Sequence, residues 1–113
     1  MKERMKREVR ESLLLKALGR SPQLRIVDFL MDNKLFDFSK KEIIEELGMS
    51  KTTFYKVWGE IESLGIVKSE RKFGKTRLYR LNTESELVKS LMEIEKQLIL
   101  QAADKSRKKI IKL

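Results

Sequence analysis

Met5, Val9 and Leu13 recur at every fourth position, and Leu14, Ala17 and Leu18 follow them. That stripe predicts a helix over roughly residues 3–18. Gly19 is a natural stop, because glycine tolerates the left-handed conformation just past a helix end. Ser21 and Pro22 then restart the helical pattern, as a hydroxyl cap followed by a proline at the first helical position. Leu24, Val27, Leu30 and Met31 share a face of this second helix, which runs to about Asn33. Phe36-Asp37-Phe38 is short and alternating, so a small extended segment is expected there. Ser39 and Glu42 make a Ser-x-x-Glu capping box for a third helix over about residues 40–47, with Ile43, Ile44 and Leu47 inward and Gly48 at its end. Ser50 caps a fourth helix that reaches about Leu64. Phe54, Trp58, Ile61 and Leu64 fall at helical spacing along it, and Gly65 closes it.

The pattern then changes. "IVKSERKFGKTRLYRLN" alternates residue types around Phe73-Gly74-Lys75, which predicts two strands, about 66–72 and 76–81, joined by a short turn. A last helix starts near Thr83. Leu87, Leu91, Ile94, Leu98 and Gln101 are spaced four, three, four and three, an a/d seam that is polar at its final position. Such a seam either covers the chain's own core or meets a second chain. Residues 24–81 already supply a complete small core, so a partner is the more economical use. Met5, Val9 and Leu13 are expected to join the same interface. The fold class is mainly α with a small β-hairpin, an α+β chain. It divides into an N-terminal amphipathic helix (1–19), a central domain (20–82), a C-terminal dimerisation helix (83–104) and a basic tail (105–113).

Charge sharpens this picture. The net charge is +9, and it is blocked rather than even. Residues 1–25 carry eight basic and three acidic side chains, residues 66–81 six and one, and residues 104–113 five and one. The intervening stretches are acidic on balance. A bland reading makes these blocks solvated surface; the other is an anionic partner facing the hairpin and the termini. Cysteine and histidine are both absent, which removes thiol chemistry, the commonest general base and the usual transition-metal ligands. No nucleophile–base pair, acidic metal loop or phosphate-cradling glycine loop is present, so no enzyme activity, cofactor or metal is expected. The apolar run Leu13-Leu14-Leu15 is too short for a signal peptide or a membrane span. A cytoplasmic, nucleoid-associated protein is expected.

In the fourth helix, burying Phe54, Trp58, Ile61 and Leu64 turns Lys51, Thr52, Tyr55 and Lys56 largely outward, in its first two turns. A helix docked in a major groove presents that end to base edges. Lysine can bond guanine acceptors, threonine can donate, accept or touch a thymine methyl, and tyrosine can stack or bond a phosphate. Ser50 and Thr53 stand beside them, Thr53 with a possible inward orientation next to Val57. Met49 is expected to plug the helix junction. Gly59 is unusual inside a helix: either another backbone or a phosphate approaches it, or the packing is tight, and packing is the expectation. Arg71, Lys72, Lys75 and Arg77 surround the hairpin turn, placed to reach an adjacent minor groove or its phosphates. The competing reading is a charged edge that blocks sheet aggregation. Arg20, Ser21 and Arg25, at the start of the second helix, are candidate phosphate contacts.

Residues 36–82, "FDFSKKEIIEELGMSKTTFYKVWGEIESLGIVKSERKFGKTRLYRLN", resemble the winged helix-turn-helix domain of prokaryotic transcription regulators. They look most like small archaeal members of the broad MarR- and ArsR-like group. Ser39 to Gly48 matches the supporting helix, Ser50 to Leu64 the recognition helix, and "LGIVKSERKFGKTRLYRL" the exit and wing. The resemblance implies a sequence-specific, double-stranded-DNA-binding regulator, with repression as the expected direction. It would act as a homodimer whose recognition helices meet half-sites about one DNA turn apart. An architectural or plasmid-partition DNA-binding protein would look much the same, and a winged-helix protein-interaction module is the alternative from another class. A metal sensor of the ArsR type is disfavoured by the missing Cys and His. No small-molecule effector is identified.

Overall fold

The computed structural model describes residues 12–111, and side chains as far as residue 106. Helices α1 (Leu13–Leu18), α2 (Pro22–Asp32), α3 (Lys40–Leu47) and α4 (Lys51–Ser63) are followed by strands β1 (Val67–Phe73) and β2 (Thr76–Leu81) and a long helix α5 (Glu86–Ile111).

The helix starts at Ser21, Ser39 and Ser50 follow the sequence signals, whereas the start at Ser12 interrupts the helix expected over 3–18. Ser12, Ser21, Ser39 and Ser50 each stand in extended conformation before a helix, and each hydroxyl accepts a backbone N–H of the first turn. At Ser39 the box is complete, since Glu42 Oε1 accepts the Ser39 N–H at 2.9 Å. Gly48 closes α3 in the left-handed conformation (φ +60°, ψ +34°), and the Met49 N–H reaches back to the Ile44 carbonyl at 3.1 Å. That bond turns the chain within Gly48-Met49-Ser50, and α4 then packs against α2. Met49 fills the junction as expected and is buried.

One core joins all the helices to the base of the hairpin. Leu14, Ile26, Leu30, Ile43, Phe54, Trp58, Ile61, Leu81 and Val88 are almost wholly inaccessible. Phe54 stacks on Trp58 (centroids 5.0 Å apart), and Tyr79 meets the Trp58 ring edge-on at 5.1 Å. The hairpin is antiparallel, pairing Val67 with Leu81, Lys68 with Arg80, Arg71 with Leu78, Lys72 with Arg77 and Phe73 with Thr76. The register slips between Lys68 and Arg71, a bulge that adds twist to the distal half. The expected extended segment at Phe36–Phe38 narrows to Phe38, which exchanges both backbone hydrogen bonds with Tyr79 (2.8 and 2.7 Å) and anchors the hairpin base. Asn82 closes the other side: its Nδ2 donates to the Gly65 carbonyl and its own N–H to that of Ile66.

Four expectations change. Leu64, expected in the core, caps α4 and is exposed, because the chain turns there into Gly65. The last helix continues through the segment 105–111 that reads as a basic tail. The helix expected over 3–18 does not run through Ser12, which is extended and caps α1, so the described helix begins at Leu13; Met5 and Val9 lie outside the described residues, and Leu13 is half-buried. The α5 seam is also rotated. Val88 is fully buried and Leu91, Met92 and Leu98 pack against the chain's own core, whereas Leu87 and Ile94 are exposed, as is Gln101. The apolar face is wider than a two-position seam, and its α1-facing edge is taken by the domain itself.

A candidate nucleic-acid interface

Ser50 is the cap that sets where α4 begins. Its Oγ accepts the Thr53 N–H at 3.1 Å and pairs with Thr53 Oγ1 at 2.9 Å. Both hydroxyls are thus engaged with each other, and Thr53 is half-buried, as its place beside Val57 foreshadowed. With Phe54, Trp58 and Ile61 locked in the core, Lys51, Thr52, Tyr55 and Lys56 are exposed. Tyr55 is held nonetheless. Its ring meets Phe54 edge-on at 5.1 Å, and Lys40 Nζ lies 5.6 Å from the Tyr55 and Tyr79 centroids alike. Lys40 therefore ties the first residue of α3 to the outer face of α4, a role sequence reading missed; its only signal was its place beside a helix cap.

Gly59 lies on the same outer face. A Cβ built there meets nothing within 4 Å among the described residues, so the tight packing expected at this position is absent. Glycine in a helix interior costs on the order of 1 kcal/mol relative to alanine, and no contact with a described residue offsets it.

The hairpin separates into a neutralised base and a bare tip. At the base, Lys68 and Arg80 are cross-strand partners, yet Glu70 contacts both (3.4 and 3.8 Å) and Glu84 meets Lys68 at 3.4 Å. Arg71 forms a two-point pair with Asp37, Nε to Oδ2 at 2.8 Å and a second guanidinium nitrogen to Oδ1 at 3.0 Å. The hydrogen bond and the charge of Asp37 raise the Arg71 pKa further above its ordinary value, so the pair stays ionised. Asp37 is another residue sequence reading missed. Towards the tip, Lys72 and Arg77 face each other across the strands, with Lys75 in the turn. None of the three forms an ion pair with a described residue. Like charges directly opposite destabilise a hairpin unless an anion relieves them. Between them Phe73 is 71% exposed, an apolar side chain at a hairpin end where a polar one is usual.

The three residues at the start of α2 differ in placement. Arg20 and Ser21 are exposed, with the Ser21 hydroxyl capping Leu24 N–H. Arg25, expected at phosphate, is half-buried and donates to the Leu47 carbonyl at 2.6 Å, so it secures the end of α3 against α2. No helix among the described residues is long and apolar enough to cross a membrane.

No family model matches the chain, and no curated protein does. Solved structures do. The chain is similar to the transcriptional repressor BigR from Xylella fastidiosa, at 27% identity and a TM-score of 0.56 over 85% of this chain and 90% of that one. It is similar in fold to a homodimeric winged helix-turn-helix DNA-binding domain from Mycobacterium bovis, a possible ArsR-family regulator. There the identity is 24% and the TM-score 0.50, over 92% and 91% of the two chains. A MepR variant from S. aureus bound to an oligodeoxyribonucleotide shares the fold at 13% identity, with a TM-score of 0.53 over 93% and 85%. The chain has the winged helix-turn-helix fold of regulators of the MarR and ArsR type.

Proposed function

We propose that the protein is a sequence-specific, double-stranded-DNA-binding transcriptional regulator that works as a homodimer, with α4 in the major groove and the wing β1–β2 at the adjacent minor groove or its phosphates. The observation that carries this is the unrelieved Lys72–Arg77 pair beside an outward α4 face of Lys51, Thr52, Tyr55 and Lys56. A fold that neutralises Lys68, Arg71 and Arg80 internally, yet leaves three cations at one tip without an ion pair to any described residue, is suited to a polyanion. Lys51, Thr52, Tyr55 and Lys56 read bases. Ser50 and Thr53 set the helix start, and Lys72, Lys75 and Arg77 hold phosphates. Arg71 braces the wing through Asp37 while keeping its outer edge towards the duplex. Arg20 and Ser21 lie at a helix start suited to phosphate. The residual apolar edge of α5, Leu87 and Ile94, is the surface offered to a second copy. Two of the similar structures are described as a repressor and as a homodimeric DNA-binding domain, which supports repression and pairing here by likeness.

The test is selection of fragments bound from genomic DNA, read by sequencing. A regulator of this kind enriches a short motif with twofold symmetry. Uniform recovery of all fragments would point to an architectural binder, and no recovery above background to a protein-interaction module.

A further inference from the structure

Four of the five glycines are explained by their own backbone. Gly19, Gly48, Gly65 and Gly74 have φ of +101°, +60°, +74° and +64°, which other residues rarely adopt. Gly59 has no such excuse. It lies within α4, has an ordinary helical backbone, is exposed, and has open space around the site of a Cβ among the described residues. Neither turn geometry nor packing by the described residues asks for a glycine there, and a glycine weakens the helix.

Its position on the helix is informative. At about 100° per residue, Thr52, Tyr55, Lys56, Gly59 and Ser63 fall on one stripe, directly opposite Phe54 and Ile61. Gly59 sits one turn beyond Tyr55 and Lys56, on the line that faces whatever those two touch. Glu60 and Glu62 are exposed on either flank of the stripe. Their charge would repel phosphate, so a polyanion can come close only along the stripe itself, at Gly59 and Ser63. The Ser63 hydroxyl is turned back onto the Glu60 carbonyl at 3.1 Å, which keeps that position low as well.

We infer that Gly59 is a specificity-determining position: its missing side chain lets a sugar-phosphate strand at the groove edge come against the α4 backbone, and so sets how deeply Thr52, Tyr55 and Lys56 reach. The inference rests on the reading of α4 as the helix that enters the major groove. Depth, rather than an added bond, is what the glycine supplies. A side chain there would hold the duplex off and lengthen every base contact made by the preceding two turns.

The experiment compares the parent with Gly59→Ala and Gly59→Gln. The probe is a duplex that the parent itself selects from a randomised oligonucleotide pool. Gly59→Ala should raise the melting temperature by about 4 °C, through helix propensity, while lowering affinity for the selected duplex about tenfold. Gly59→Gln should lower affinity further with no loss of stability. Opposite signs in the two measurements are the signature, because a merely structural glycine would move both together. Parent-like affinity in both variants overturns the inference and leaves the DNA-binding reading intact. Failure of the parent to select any motif removes the reading, and the inference with it.

Discussion

The wing tip gives the sharpest quantitative test. Lys72, Lys75 and Arg77 are exposed and form no ion pair with a described residue, whereas Lys68, Arg71 and Arg80 are tied to Glu70, Glu84 and Asp37. Replacing the three tip cations with alanine removes three charges per protomer and therefore twice that number from a dimer. If each neutralises one phosphate, the slope of log affinity against log salt concentration should become shallower by up to about 5, at about 0.9 per phosphate. Lys75→Ala alone should change it by about 2 in a dimer. Fluorescence anisotropy of a labelled duplex between about 50 and 200 mM salt covers the range in which such contacts change affinity most. Folding should not suffer, since the substitutions break no pair among the described residues and relieve the Lys72–Arg77 repulsion. The triple variant should melt at or above the parent temperature. A salt slope equal to the parent's would refute the assignment of these cations to phosphates. A lower melting temperature would instead make them structural, whereas the aggregation-blocking reading of the edge predicts that the triple variant self-associates.

Three further outcomes follow from the same structure. Trp58→Ala should cost about 3–5 kcal/mol in urea unfolding, as expected for emptying a core site; Trp58→Phe should cost distinctly less, because it keeps the stack on Phe54 and removes a buried Nε1–H that has no partner among the described residues. Equal losses would show that the stack contributes nothing. Glu95 has its pKa raised, first by burial and then by the nearby charges of Asp32 and Asp28, with Lys34 opposing them. The folded state thus holds this proton where the unfolded state has lost it, so stability should fall as pH rises from about 4.3, the ordinary value of glutamate, through the folded value. Glu95→Gln should flatten that part of the curve and raise stability at neutral pH; an unchanged pH profile would remove Glu95 as its source. Charges at Leu87 and Ile94, both 41% exposed, should give folded monomers by sedimentation, and an intact dimer would exclude this edge of α5 from the interface. Leu91 and Leu98 are unsuited to that test, because they pack on the core and a charge there would disturb folding as well.

Much of the fold was legible because its punctuation is local. The Ser21, Ser39 and Ser50 caps, the Ser39–Glu42 box and Gly48 act through bonds three or four residues away, and each lies where the sequence puts it; Ser12, which the spacing places inside a helix over 3–18, is a cap instead. The inward residues of α4 were legible for the same reason, apart from Leu64, whose fate depends on the turn beyond it. What the sequence does not show are contacts with a neighbour far away in the chain. Arg25 looks like any cation at a helix start until the Leu47 carbonyl appears beside it. Arg71 looks like Lys72 until Asp37, far back in the chain, meets it. The Leu87–Leu98 spacing says that a helix has an apolar face, but it carries no mark of which surface covers each edge.

The wing shows why this distinction matters for function. In the sequence, Lys68 with Arg80 and Lys72 with Arg77 are equivalent pairs of cations on two strands. The bulge between Lys68 and Arg71 sets the pairing of both couples, and at the base the carboxylates of Glu70 and Glu84 lie within reach of the cations. Nothing comparable reaches the tip from the described residues. A hairpin of +5 net charge is therefore not uniformly cationic: its base is internally compensated and its attraction is concentrated in the turn and the two residues facing each other just before it. Block charge indicates an anionic partner; which charges remain available to it is a property of register. Register is fixed by burial of Val67, Tyr79 and Leu81 against α4 and the core. The residues that would touch DNA are thus selected, one strand away, by the residues that never can.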